Sequence, residues 1–274
     1  FERTCVAALY FLAYPLQMFL WKSGPATLAE LVRSDGSNSY YSPTLQYSAW
    51  ELLTKYNYLS PDFPPHAVSN MPGKILFFHL LELYTGSPEI MGLLIILISN
   101  LGGVCLFYLA KKIFKSSLAG FYALALYLFT PSKLLFFPLL NVITPVFALI
   151  TFYVYLVMLE KKHREWPVLF GFLIYLNLFF DPIPLALGVL FLGFGIKAIA
   201  DKKLTIRDFM QRTALALTAL IATYGLMIAV FHFNLLSTLR IAVRINSKYY
   251  GLPQYMPDWF IEGFRTFFFG SGVI

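Results

Sequence analysis

One acidic residue stands in a stretch that is otherwise typical of a turn. Asp35 lies in LVRSDGSNSYYSP, residues 31–43, between Ser34 and Gly36. Such residues favour turns because their side chains bond the local backbone or tolerate left-handed conformations. A carboxylate in a turn can also accept a hydroxyl proton as a general base, a role that contributes about 10²–10⁴ in rate. The pattern alone favours the plain turn and leaves catalysis by Asp35 as the alternative.

Three basic residues are candidates to hold an anion. Lys74 opens a stretch with helical apolar spacing, and the backbone N–H groups of a helix N-terminus also favour anions. Arg240 and Arg244 are four residues apart, so a helix would present them on one face. The ordinary alternative for all three is a long basic side chain that reaches a membrane boundary without binding a substrate.

Composition places the chain in a membrane. Of its 274 residues, 58% are hydrophobic and only 13% are charged, whereas a soluble domain is nearer half apolar and a quarter charged. Low charge together with long apolar runs indicates an integral membrane protein. The net charge of +7 does not indicate nucleic-acid binding, because the basic residues cluster just beyond apolar runs and form no stripe on a polar surface.

Apolar runs of membrane-spanning length predict an all-α, polytopic protein with about seven spans. A helix needs about 20 apolar residues to cross a bilayer, and about 17 to 25 are tolerated. The third and fifth runs are short for this purpose. The predicted spans are 5–21, 89–110, 117–130, 139–159, 166–180, 183–200 and 209–236.

Basic residues in the short connections predict the orientation of these spans. Eleven lie in connections on one side and one, Lys133, lies on the other, and connections rich in Lys and Arg face the cytoplasm. We therefore expect a multi-pass protein of the plasma or inner membrane with a cytoplasmic N-terminus, and with residues 22–88 and the tail 237–274 outside. The eleven are Lys111, Lys112, Lys115, Lys161, Lys162, Arg164, Lys197, Lys202, Lys203, Arg207 and Arg212.

The first outer loop, residues 22–88, is too long for a simple connector. Two stretches in it, SAWELLTKYNYL and KILFFHLLELYTG, have apolar residues at helical spacing. Both are expected to be amphipathic helices that lie along the membrane surface. Their predicted apolar faces are Trp50, Leu53 and Tyr56 in the first helix and Leu76, Phe77, Leu80, Leu81 and Tyr84 in the second.

Two polar residues in or beside the predicted spans are expected to have specific partners. Asn100, in LISNLGG, is expected to hydrogen-bond a neighbouring helix, and the glycines at 102 and 103 permit close packing there. Asp181 precedes Pro182 at the end of a predicted span. It either faces an outer cavity as a functional acid or caps the next helix.

This layout resembles the GT-C glycosyltransferases, multi-span enzymes that include the protein O-mannosyltransferases and the lipid A aminoarabinose transferases. RSDGSNSYYSPTLQYSAWELL resembles the acidic segment after their first span, and SNMPGKILFFHLLELYTGSP resembles the segment that leads into their second juxtamembrane helix. FLIYLNLFFDPIPLALGVLFL is similar to their paired middle spans. The resemblance implies that residues 1–274 form a single membrane module.

The resemblance also implies an activity, the inverting and metal-independent transfer of a sugar from a polyprenyl-phosphate donor to an acceptor hydroxyl outside the cytoplasm. Asp35 would be the general base. No cofactor is implied, and a divalent ion on Asp35 stays an open alternative. The residues assigned to the substrates are Lys74, Arg240 and Arg244 for the phosphate, and Tyr40 and Tyr41, with Tyr249 and Tyr250, for the sugar. The ordinary explanation for these paired tyrosines is the enrichment of aromatic residues at membrane interfaces.

The sequence departs from the family pattern in two places. Gly36 follows Asp35 where a second acid is common, and Met71-Pro72-Gly73-Lys74 stands where paired prolines are usual. The family usually has more spans, so we expect this chain to be a fragment of a longer protein, with further spans after the tail begins.

Other readings of the same residues stay open. Glu30, Glu51 and Asp62 compete with Asp35 for the role of base, although Glu51 fits a solvated helix face and Asp62 fits a turn before Phe63. A non-enzymatic transporter or lipid-handling protein is the alternative function. Transporters usually place ionisable groups at the bilayer midplane, in repeated halves, and here the acids lie at the boundaries of the apolar runs.

Overall fold

The computed structural model describes residues 1–21, 26–182 and 187–250, and within these ranges the secondary structure is helical throughout. The all-α prediction is therefore confirmed for the described residues. Short 3₁₀ turns occupy Ser42–Leu45, Ser60–Asp62 and Leu140–Val142. The α-helices are α1 (Glu2–Trp21), α2 (Leu28–Arg33), α3 (Ala49–Leu59), α4 (Pro65–Val68), α5 (Gly73–Glu82), α6 (Pro88–Phe114), α7 (Ser117–Leu128), α8 (Pro131–Leu135), α9 (Thr144–Glu160), α10 (Glu165–Phe180), α11 (Gly188–Ala200), α12 (Ile206–Phe231) and α13 (Leu235–Tyr250).

Five helical segments are long and apolar enough to cross a membrane. Two more, α10 and α11, are apolar but shorter, with 16 and 13 described residues. At about 1.5 Å per residue, α10 is about 24 Å long, less than the hydrocarbon thickness of about 30 Å. Seven spans therefore stay a prediction. The five segments are Glu2–Trp21, Pro88–Phe114, Ser117–Leu135, Leu140–Glu160 and Ile206–Phe231.

Each predicted span overlaps one of these helices, with boundaries that agree to within about five residues where they are described. The last predicted span, 209–236, ends too late, because α12 ends at Phe231 and His232 takes a left-handed conformation with φ 53°. A new helix, α13, then begins at Leu235. Residues 183–186 of another predicted span lie outside the described residues, as do 22–25 of the first loop and 251–274 of the tail.

Both helices predicted in the first loop exist, and the protein covers only part of each predicted apolar face. On α3 the buried residues are Leu52 and Tyr56, whereas Trp50 is 58% exposed. On α5 the buried side includes Lys74 and Phe78, while Leu80 and Tyr84 are exposed. Tertiary contacts decide which residues of these helices the protein covers. The exposed apolar residues are compatible with the predicted placement along a membrane surface, which stays a prediction.

A shared apolar core joins the loop helices to the ends of the long helices. Tyr56 of α3 packs edge-on against Phe233, with ring centroids 6.2 Å apart, and Phe77 of α5 packs against Phe180 at 5.9 Å. Such aromatic pairs stabilise by about 0.5–1.5 kcal/mol beyond area burial. The loop is therefore a packed layer on the helix bundle. Its core includes Leu28, Val32, Tyr56, Phe78, Met91, Phe137, Phe180 and Phe233.

Polar contacts between the long helices confirm the prediction for Asn100. Asn100 Nδ2 donates to Gln17 Oε1 over 2.8 Å, and Gln17 Nε2 donates back to Asn100 Oδ1 over 3.0 Å. The same Nε2 donates to the carbonyl oxygen of Leu128 at 2.7 Å. The close packing predicted at Gly102 is also present, because a Cβ added there would overlap the Tyr127 ring.

Two helical glycines allow the packing of α10 on α12 to be tested. A Cβ at Gly171 would overlap the carbonyl oxygen of Ala216 on α12, whereas a Cβ at Gly225 would meet nothing within 4 Å. We expect Gly171→Ala to lower the free energy of unfolding by about 1–3 kcal/mol through overpacking. Gly225→Ala is the matched control and should stabilise by about 0.5–1 kcal/mol through helix propensity. Denaturation of both variants in detergent measures these changes in the free energy of unfolding. Equal changes in the two variants would contradict the packing of α10 on α12.

Candidate functional site

Asp35 lies on an open cavity at the surface of the loop layer. Its side chain is exposed, and its Oδ1 accepts a hydrogen bond from the Ser42 hydroxyl over 2.5 Å. The cavity has a volume of about 390 Å³. An exposed carboxylate beside an open cavity can reach a hydroxyl of a bound molecule. The described residues that line the cavity are Asp35, Ser42, Pro43, Gln46, Asp62, Phe63 and Pro64.

The backbone around Asp35 is the turn that its sequence predicts. The Ser34 carbonyl oxygen accepts hydrogen bonds from the backbone N–H groups of Asn38, at 2.8 Å, and Ser39, at 3.1 Å. Ser39 has φ 47°, and its hydroxyl donates to the Asp35 carbonyl oxygen. The turn fixes the backbone while the Asp35 carboxylate stays accessible. A turn and a functional carboxylate are therefore compatible here.

The cavity contains a second carboxylate, Asp62, which is one of the competing candidates for the general base. Asp62 ends the 3₁₀ turn Ser60–Asp62 and is exposed on the same cavity as Asp35. The sequence favoured a turn before Phe63 for this residue, and the 3₁₀ turn confirms that part of the prediction. No local signal in the sequence links two acids so far apart.

Lys74 lies in the interior and is paired with an acid. Its Nζ is 2.7 Å from Asp181 Oδ2, and both side chains are 2% exposed. Nζ also donates to Asn141 Oδ1 at 3.0 Å and lies 5.2 Å from the centre of the Tyr40 ring. Burial lowers the pKa of Lys74, and the Asp181 carboxylate opposes that shift. The charge of Lys74 is thus compensated within the protein.

Asp181 forms the centre of this buried polar cluster. It follows the last residue of α10, and its Oδ2 also accepts a hydrogen bond from the Thr144 hydroxyl at the start of α9, over 2.9 Å. The structure pairs Asp181 with a lysine from the loop, a partner that neither alternative named. A functional acid and a cap of the next helix both stay predictions, because residues 183–186 lie outside the described residues. The partner was not identifiable, because α5 and α10 are remote in sequence.

The two predicted sugar-site tyrosines are buried. Tyr40 lies beside Lys74, and burial, with a further contribution from Asp181, raises the pKa of Tyr40. Tyr41 packs edge-on against Phe78 with ring centroids 5.5 Å apart. Both rings contribute to the core of the loop layer. The side chains of Tyr249 and Tyr250 lie outside the described part of the structure.

Arg240 and Arg244 are exposed on α13, one turn apart. The helix is fixed to the loop layer, since the Thr238 hydroxyl donates to Asn57 Oδ1 of α3 over 2.7 Å and Ala242 is buried. Neither arginine is among the described residues lining the Asp35 cavity. The predicted site residues therefore lie in three places: the Asp35 cavity, the buried Lys74 cluster and the face of α13.

No group of three or more His, Cys, Asp or Glu side chains placed to hold a metal ion occurs within the described ranges. His79 contacts Glu82 at 2.8 Å and the Tyr47 carbonyl oxygen at 3.0 Å, which links α5 to the residues before α3.

A double-mutant cycle on the buried pair tests its contribution to stability. Lys74→Met leaves the buried Asp181 uncompensated and should cost about 3–5 kcal/mol. Adding Asp181→Asn should recover part of that loss, because the uncompensated charge is then removed. The control is Lys55→Met on the exposed Lys55–Glu51 pair, which is 3.9 Å apart and should cost less than about 1 kcal/mol. If the changes in the free energy of unfolding caused by the two core substitutions were strictly additive, this would contradict the pairing.

Comparison with known proteins adds no family assignment. No protein-family model, no curated protein and no solved structure matches this chain.

Proposed function

We propose that this chain is a membrane glycosyltransferase module that moves a sugar from a polyprenyl-phosphate donor to an acceptor hydroxyl outside the cytoplasm. The observation that carries the proposal is the exposed Asp35 carboxylate on an open cavity in a layer packed on the ends of membrane-length helices. A donor with a long lipid chain must reach the reacting groups from the bilayer. A cavity at this boundary meets that requirement.

In the proposed reaction, Asp35 acts as the general base. The acceptor hydroxyl oxygen attacks the anomeric carbon of the sugar, and its proton passes to the Asp35 carboxylate. The bond from the anomeric carbon to the phosphate oxygen breaks, and the lipid phosphate leaves with the electron pair. One displacement inverts the configuration. Proton removal by a positioned base contributes about 10²–10⁴ in rate.

The departing phosphate gains charge, so it needs fixed cations or hydrogen-bond donors. We assign this role to Arg240 and Arg244. Both lie outside the Asp35 cavity, on one exposed face of α13, and α13 is anchored to the loop layer through α3. Lys74 is already engaged with Asp181. We therefore assign Lys74 and Tyr40 to positioning the loop layer.

A lipid-handling protein without transfer activity is the second candidate. It is favoured by an apolar cavity of about 720 Å³ lined by residues of α1 and α8, among them Leu20, Trp21 and Leu134. Acyl or prenyl chains fit such a lining. This cavity serves either candidate, since a lipid-linked donor also needs space for its tail.

The test is turnover of a radiolabelled polyprenyl-phosphate sugar by the full chain in detergent or liposomes. We expect Asp35→Asn to lower kcat by about 10²–10⁴, because the amide cannot take the proton. Asp208→Asn near the start of α12 is the control and should leave turnover unchanged. Undiminished turnover by Asp35→Asn would remove Asp35 as the base. Absence of transfer by the wild-type chain to any hydroxyl acceptor would favour the lipid-handling alternative.

A further inference from the structure

Lys133 is a buried lysine whose charge the described protein does not compensate. It is the one basic residue in the short outer connections, and it is only 7% exposed. Among the described residues no carboxylate oxygen lies within 4.0 Å of its Nζ, in contrast to Lys74 with Asp181. Burying an unpaired ammonium is costly. Ionisable residues within spans are functional candidates by default.

The contacts of Lys133 leave most of its hydrogen-bonding capacity unused. Its Nζ donates to Asn100 Oδ1, which already accepts from Gln17. The ring centres of Tyr127 and Phe137 lie 4.6 Å and 5.7 Å from Nζ. An ammonium has three donors, so one amide oxygen and two ring faces leave room for an anionic acceptor.

A cavity of about 180 Å³ at Lys133 has a mostly apolar wall with a few polar groups, and these supply further donors. The Tyr127 and Thr130 hydroxyls on its wall already donate to the carbonyl oxygens of Ser99 and Leu126. The Ser132 hydroxyl and the Asn141 amide also line it, and Asn141 Oδ1 faces Lys74. The Asn141 Nδ2 group is therefore left as a donor on this side. One cation with two neutral donors is suited to phosphate oxygens.

An apolar groove adjoins the cavity at Lys133. Phe136 lines both the cavity at Lys133 and the groove of about 720 Å³ between α1 and α8. The groove wall includes Leu20, Leu31, Leu134 and Leu135. The helix that carries Lys133 belongs to the candidate span Ser117–Leu135. A charged cavity and an apolar groove thus meet at α8, beside a membrane-length helix.

We propose that α8 forms a binding site for an anionic phospholipid, with the lipid phosphate at Lys133 and an acyl chain in the groove between α1 and α8. A free phosphate ion would use the cavity but not the groove. A neutral lipid would use the groove but leave Lys133 uncompensated. The cavity at Lys133 is distinct from the Asp35 cavity, while the groove is the one that a lipid-linked donor would also use. Binding of an anionic phospholipid there does not require the proposed transfer reaction.

Lipid binding by the delipidated full chain in dodecyl maltoside tests this site. Phosphatidic acid, phosphatidylcholine and inorganic phosphate are titrated separately, and bound lipid is measured by native mass spectrometry. We expect phosphatidic acid to bind at least about tenfold more tightly than phosphatidylcholine, as hydrogen bonds to a charged group imply. Lys133→Gln should remove that preference. Lys162→Gln, on an exposed connection, should keep it.

Two further variants keep the test decisive where Lys133→Gln fails to fold. Ser132→Asp places a carboxylate in the cavity and should abolish phosphatidic acid binding while Lys133 stays in place. Leu135→Trp narrows the groove at a residue that is 67% exposed, and should weaken phosphatidic acid binding several-fold. Unchanged lipid preference in Lys133→Gln or Ser132→Asp would overturn the site. Inorganic phosphate binding as tightly as phosphatidic acid would overturn the lipid assignment.

Discussion

The arrangement of the loop layer depends on one buried ion pair, Lys74 with Asp181. Two charges cannot be buried cheaply, and a pair such as this one survives only when each partner is also hydrogen-bonded. Asn141 and Thr144 meet that condition, at 3.0 Å and 2.9 Å. The pair joins α5, a helix of the loop, to the end of α10 and the start of α9. It thereby fixes where the loop sits on the bundle.

The residue before Lys74 shows how close that junction is. A Cβ at Gly73 would lie 2.6 Å from the Phe179 carbonyl oxygen and from Phe180 Cα, so only glycine permits α5 to approach α10 this closely. A second set of contacts connects α5 to the turn region, since the Thr44 hydroxyl donates to Glu82 Oε1 over 2.8 Å. The Asp35 cavity is therefore supported by packed helices and is not part of a free loop.

The sequence was sufficient to predict where the long helices lie. It was not sufficient to predict which sides of the short helices the protein buries. Apolar runs of spanning length are dictated by the bilayer, so their approximate positions follow from composition. The buried sides of α3 and α5 depend on what packs against them, so the burial of Lys74 and Phe78 did not follow from the apolar spacing. Lys74 pairs with Asp181, and Asp35 shares a cavity with Asp62. Each of these pairs joins residues that are far apart in the sequence, so no local spacing pattern predicts them.

The two buried lysines, Lys74 and Lys133, have environments that the sequence did not predict. The pattern placed Lys74 at a helix start as a candidate anion contact, yet its charge is already compensated. Lys133 was counted only as the single basic residue on the outer side, yet its Nζ is bonded to a neutral amide inside the bundle. The residue type alone therefore does not show whether a buried lysine can bind a ligand. What decides it is whether the fold provides a counter-charge.

The central claim is that the layer carrying Asp35 lies outside the cytoplasm, and cysteine labelling in intact cells tests it most directly. Gly36→Cys, in a chain whose Cys5 and Cys105 are replaced by alanine, puts a thiol beside Asp35, where a side chain meets only Ser34 at 3.8 Å. Lys162→Cys reports the opposite side. We expect a membrane-impermeant maleimide to label position 36 in intact cells and position 162 only after permeabilisation. The reverse pattern would contradict the proposed orientation and, with it, the site.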